Sequence, residues 1–161
     1  MQSVEDTRFV FRRTVVMGAA ICASLLVYVG IVELMRAVMK PFHGIAVVPL
    51  GKVQTLRLLI YGLAVASVIA IRLMRGRLLR VVPGEASRLT LMRLMRASVL
   101  TFILAELPAL AGIVLFFATG LSRDFYILLF VSLVLEFMYF PRRAPWDDLL
   151  SRGGGAPGGR L

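Results

Sequence analysis

Four apolar stretches, at 14–35, 54–74, 97–119 and 124–141, decide most of what this chain can fold into. Each approaches the roughly 20 mostly apolar residues that a helix needs to cross the hydrocarbon of a bilayer. In lipid the backbone must pair its own N–H and C=O groups, and an isolated segment does so only as a helix. The expected fold is therefore all-α: a polytopic membrane protein with four transmembrane helices over those residues. A hydrophobic content of 59% and a mean hydropathy of +0.86 agree, since water-soluble domains carry less. The expected organisation is one transmembrane domain over 1–150. A Gly/Pro-rich tail follows at 151–161, and its composition reads as disordered.

Charge sets the expected orientation. Of 19 Lys and Arg residues, 14 lie before the first stretch, between the second and third, or after the fourth. Only Arg36, Lys40, Lys52, Arg57 and Arg123 belong to the other side. The positive-inside rule then places both termini and the 75–96 loop in the cytoplasm, with the protein in the plasma (inner) membrane. A net charge of +10 does not argue for nucleic acid, because the basic residues flank apolar spans and are not interleaved with aromatic stacking platforms. The triplet LMR ends at Arg36, Arg75, Arg93 and Arg96, each near the end of a span. There Leu and Met suit the acyl boundary, while Arg reaches the phosphates. Arg75, Arg77, Arg80, Arg93 and Arg96 are thus expected to contact anionic lipid headgroups. From PGEAS onward the loop reads as a helix start, leading through an amphipathic basic segment into the third span. That segment also suits an acidic surface on a partner protein.

Several chemistries find no residues to carry them. Cys22 is the only cysteine and His43 the only histidine, so neither a disulfide framework nor a metal site is expected. His43 reads as an exposed residue of the outer loop. There is no Ser/His/Asp set, no HExxH and no Gly-rich phosphate loop, so the chain is read as a non-enzyme without cofactors. In the second span, Gly62, Ala66 and Ala70 recur every four residues, beside Ala64 and Ser67. Small residues let helix backbones approach, and close packing is expected there with the third helix or with another copy of the chain.

Three acids lie within or at the edges of spans. Glu33 is near the outer end of the first, with Arg36 three residues on. Glu136 is five residues before Pro141, so it is expected roughly 7 Å from the cytoplasmic boundary, within reach of Arg142 or Arg143. Glu106, in LAELPALAG, is ten residues beyond Arg96, or roughly 15 Å deep. A charge at that depth costs about 2.5–3.5 kcal/mol on insertion scales, so the group must be neutral or hold a partner. Pro108 lacks an N–H and leaves the Leu104 carbonyl without its helical donor, loosening the backbone beside the acid. Ala105, Ala109 and Gly112 form a small-residue stripe where another helix can approach.

The segment AELPALAGIVLFF resembles the ion-carrying helix of the proteolipid, subunit c, of rotary ATP synthases. Glu106 and the Gly112 six residues on match the spacing in that helix, and Ala105 and Pro108 fit its character. The resemblance extends over about 65 residues, 55–119, and implies a cytoplasmic loop between the two helices of the hairpin. It also implies that Glu106 binds a translocated proton, with Gly62, Ala64 and Ala66 on the packing helix. The sequence departs from the family in having alanines for a dense glycine pattern, a long basic loop and two further spans. The reading this favours is a hairpin of that kind reused in a non-catalytic subunit or assembly component of a larger membrane complex. Glu106 would there make a buried interhelical hydrogen bond, and the expected partners are lipid, other membrane subunits or a second copy. The alternative is a protein that handles protons or cations through reversible protonation of Glu106.

Overall fold

A computed structural model describes residues 2–45, 49–78 and 87–140. Within them the chain is all-helical, in the order α1 (Gln2–Val38), α2 (Leu50–Leu78), α3 (Ser87–Thr119) and α4 (Ser122–Tyr139). Three helices are long and apolar enough to cross a membrane, over Phe9–Val38, Gly51–Arg77 and Met92–Thr119. Their 30, 27 and 28 residues, at about 1.5 Å each, exceed a hydrocarbon core of about 30 Å. The 18 residues of α4 measure about 27 Å, at the lower limit for a span.

The helices outrun the apolar stretches because hydropathy marks only the part suited to lipid. α3 begins at Ser87, ten residues before the stretch at 97, so the basic amphipathic segment is its first turns. Arg80, the tail at 151–161, Pro141, Arg142 and Arg143 lie outside the described residues.

α3 is the centre of the bundle. It packs along α1, α2 and α4, whereas α1 and α2 scarcely touch each other. Helical periodicity selects the packed faces. On α1 the buried positions Thr14, Gly18, Leu25 and Val32 recur at spacings of four and seven, and on α2 Ile60, Ala64, Ser67 and Ile71 at four, three and four. Three core clusters follow the bundle axis: Val32, Phe116 and Phe125; Ile60, Ala64, Leu115 and Leu128; and Ile71, Ala105 and Leu135. Large apolar side chains also cover the outside, among them Leu58, Leu59, Val65, Leu73, Phe130 and Phe137. Burying such residues and exposing them together is what a bundle in lipid requires, since the acyl chains are as apolar as its core.

Gly120 and Leu121 alone join α3 to α4, making an antiparallel hairpin. Gly120 adopts a φ of +73°, and its N–H donates to the Phe116 carbonyl at 2.7 Å, which closes α3. The outer loop after α1 is laid across this turn. Ile45 donates its N–H to the Phe117 carbonyl at 2.7 Å. Gly44 has a φ of +89°, and a Cβ there would stand 2.6 Å from the Ala118 oxygen. Glycine is required at both positions by conformation and by space.

Close helix approach uses two further glycines. A Cβ on Gly18 would come within 2.7 Å of the Phe102 ring, so α1 rests its backbone on that ring. One on Gly112 would meet the Leu128 Cβ at 3.1 Å, so the stripe that includes Ala109 and Gly112 receives α4. On α2 the packed small residues are Ala64 and Ser67. Gly62 and Ala66 are exposed, and nothing lies within 4 Å of a Cβ built on Gly62. Two residues of helix turn the face by about 200°, which is why 62 and 66 point away from α3 when 60 and 64 point toward it.

Candidate functional site

One set of interior polar groups gathers where α1, α3 and α4 meet. Glu106, on α3, turns toward α1, and its Oε1 accepts hydrogen bonds from the Ser24 hydroxyl at 2.6 Å and the Tyr28 hydroxyl at 2.6 Å. Those two residues are four apart and therefore share a face of α1. Ser24 also lies 2.6 Å from the Ile21 carbonyl. Its single proton is shared between two acceptors, while Tyr28 is committed to Glu106.

Pro108 shapes the next contact. The Ala109 N–H, one residue after the proline, donates to Ser132 Oγ on α4 at 2.9 Å. The backbone beside the proline is thus satisfied by a neighbouring helix, as membrane interiors require. Because α3 and α4 are antiparallel, a match of Ala109 with Ser132 brings the levels of Glu106 and Glu136 together. The two carboxyls are close enough to interact electrostatically.

Glu136 differs sharply from its neighbour. It is 1% exposed, on the buried face of α4 that Phe125, Leu128, Ser132 and Leu135 define at spacings of three and four. Among the described residues neither of its oxygens has a hydrogen-bond partner. The Cys22 thiol of α1 faces the carboxyl, outside hydrogen-bond geometry. Glu136 lies inside the bundle, near the level of Glu106, while its expected arginine partners, Arg142 and Arg143, lie outside the described residues.

Glu33 stands apart from this group. It is exposed, receives the Arg36 guanidinium at 2.7 Å in the expected i,i+3 relation, and accepts a hydrogen bond from the Tyr126 hydroxyl. Val32, Phe116 and Phe125, with Tyr28 and Val29 packed against them, form the adjoining apolar cluster. The three acids therefore do not line one path.

Arg75 lies over the Tyr139 ring, 4.9 Å from its centroid, and is only partly exposed. Its cation is thus shared with the end of α4, while Arg77, Arg93 and Arg96 are exposed. His43 is exposed in the outer loop, with Nδ1 3.0 Å from the Pro41 carbonyl. Among the described residues no group of three His, Cys, Asp or Glu side chains is placed to hold a metal ion.

A second polar cluster was not expected. Asp124, 2% exposed in the first turn of α4, accepts from the Arg57 guanidinium at 2.9 Å and from the Tyr61 hydroxyl at 2.9 Å. Sequence reasoning assigned Arg57 to the outer side and stopped there. The usable signal was the i,i+4 pair of Arg57 and Tyr61 on α2, at the same end of the bundle as Asp124. Ser24, Tyr28, Cys22 and Ser132 were likewise not singled out, because a hydroxyl or thiol in an apolar helix reveals its partner only once the helices are assembled.

The described residues form an all-helical bundle with three helices long and apolar enough to cross a membrane, and with Glu106 and Glu136 on the paired helices α3 and α4. No family model matches the sequence, and no curated protein and no solved structure matches it.

Proposed function

We propose that this chain is a non-catalytic membrane subunit, a four-span scaffold whose Glu106 ties α1 to α3. In this reading α4 is the fourth span, completing the hairpin begun by α3, and both termini are cytoplasmic, as the arginine distribution favours. The observation that carries the reading is the pair of hydroxyls on Glu106 Oε1, from Ser24 and Tyr28. A carboxyl that must meet a second protein to exchange an ion needs an open approach, and here α1 supplies the partners instead.

The outward face of α2 supports the subunit role. Gly62 and Ala66 leave a shallow, open strip on a helix flanked by Leu58, Leu59 and Val65. A helix of another subunit, or a second copy, packs more closely on such a strip than on a leucine-covered one. Arg77, Arg93 and Arg96, exposed at the other end from the outer loop, suit anionic headgroups of the cytoplasmic leaflet.

The test replaces Glu106 by Gln and by Leu in the full-length protein in its own membrane. Glutamine keeps an acceptor oxygen for Ser24 and Tyr28, so Glu106→Gln is expected to accumulate and resist heat like the parent. Glu106→Leu leaves both hydroxyls without that acceptor and is expected to be less stable. Equal stability of Leu and parent contradicts the scaffold role of this acid.

A further inference from the structure

Glu136 is a buried carboxyl that neither the Glu106 tie nor the cluster of Arg57, Tyr61 and Asp124 uses. It is 1% exposed, and among the described residues both oxygens lack a donor. Among the described residues the groups that face it are few. From α1 come the Cys22 thiol and the Tyr28 hydroxyl, the latter already donating to Glu106. From α3 comes Glu106, a second acid. From α2, Arg75 is placed over Tyr139, three residues on from Glu136.

An ionised carboxylate in that setting would be a buried charge facing another acid, with no counter-ion or donor among the described residues. Such a charge costs several kcal/mol even after relaxation, and the group takes up a proton instead. The neutral acid has no such cost. A metal ion is not an equivalent occupant, because Cys22, Glu106 and Glu136 are not grouped closely enough to ligate one.

We propose that Glu136 is an intramembrane proton-binding site, with the Cys22 thiol and Glu106 as its surroundings and the proton as its ligand. The resident form is Glu136–COOH. On release, the O–H bond breaks, the proton passes to a water molecule admitted between α1 and α4, and the carboxylate remains, stabilised only while that water is present. The two carboxyls thereby divide the work: Glu106 receives the hydroxyl donors of α1, and Glu136 holds the proton. This assignment is independent of the role of Glu106 as a tie, since it rests on the surroundings of Glu136 alone.

Infrared spectroscopy of the full-length protein reconstituted in phosphatidylcholine vesicles reads the proton directly, as the C=O band of a protonated carboxyl. The expected result is such a band at neutral pH, lost in Glu136→Gln and retained in Glu106→Gln. Should Glu136→Gln fail to fold, Cys22→Ala changes only the thiol facing the carboxyl. It is expected to shift the band, whereas Glu33→Gln, at an exposed acid, leaves it in place. A protein with no protonated-carboxyl band at neutral pH overturns the proposal, as does a carboxylate signal there that Glu136→Gln removes. A band that Glu106→Gln abolishes and Glu136→Gln spares, or one that Cys22→Ala does not move, overturns it equally.

Discussion

Removing the hydroxyl of Tyr28 should weaken the bundle, and it should do so only while Glu106 is present. The Tyr28 hydroxyl has one partner, Glu106 Oε1 at 2.6 Å, whereas Ser24 divides its proton between that oxygen and the Ile21 carbonyl, both at 2.6 Å. Interhelical hydrogen bonds in membranes average about 0.6 kcal/mol and reach about 1.7. The short, undivided bond from Tyr28 belongs near the upper figure and the shared one from Ser24 near the lower. Tyr28→Phe with Glu106→Leu should thus give a coupling of about 1–1.7 kcal/mol in a double-mutant cycle, and Ser24→Ala with Glu106→Leu about 0.5 kcal/mol. The assay is reversible unfolding in mixed micelles, following helicity as denaturing detergent is added. In the Glu106→Leu background, Tyr28→Phe should be nearly neutral, because the hydroxyl it removes has already lost its acceptor. Equal costs in both backgrounds, or a Ser24 coupling larger than that of Tyr28, would refute the reasoning.

Other substitutions test the packing and the outer cluster. Gly112→Val, against Leu128 and Phe125, should lower stability by about 1–3 kcal/mol in the same assay, and so should Gly18→Val against Phe102. Gly62→Ala, with open space around it, should be neutral or slightly stabilising in the isolated protein. Asp124→Ala strips the partner from both Arg57 and Tyr61. Losing one side of a buried pair costs about 3–5 kcal/mol, and because the Arg57 side chain is 38% exposed a cost of about 1–3 kcal/mol is expected. Double replacement to Arg57→Met and Asp124→Leu should recover part of that loss.

Periodicity and hydropathy made the helices legible, because lipid permits few alternatives to a helix and the apolar stretches are long. They missed the charged start of α1 at Gln2, whereas the start of α3 at Ser87 was legible from the helix-start signal at PGEAS and not from hydropathy. The close approach at Ala109 and Gly112 was readable from small residues at spacing three. The similar spacing at Gly62 and Ala66 pointed to a face that is open in this chain, because small residues say where a helix can approach and not which one does. Glu106 announced itself by depth, yet its donors did not, since Ser24 and Tyr28 are ordinary residues until α1 is laid on α3. The surroundings of Glu136 were hidden for a related reason, since they depend on the level at which Ser132 meets Ala109.

The account stands on α1 lying against α3 within one chain, at the level of Ser24 and Glu106. A direct measurement uses Ser24→Cys and Glu106→Cys together in a Cys22→Ser background, a short bis-maleimide linker, and a protease site inserted between α2 and α3. After cross-linking in native membranes and cleavage, the predicted result is that the α1 and α3 fragments remain covalently joined within one chain. Fragments that separate, or products that join only different chains, would contradict it.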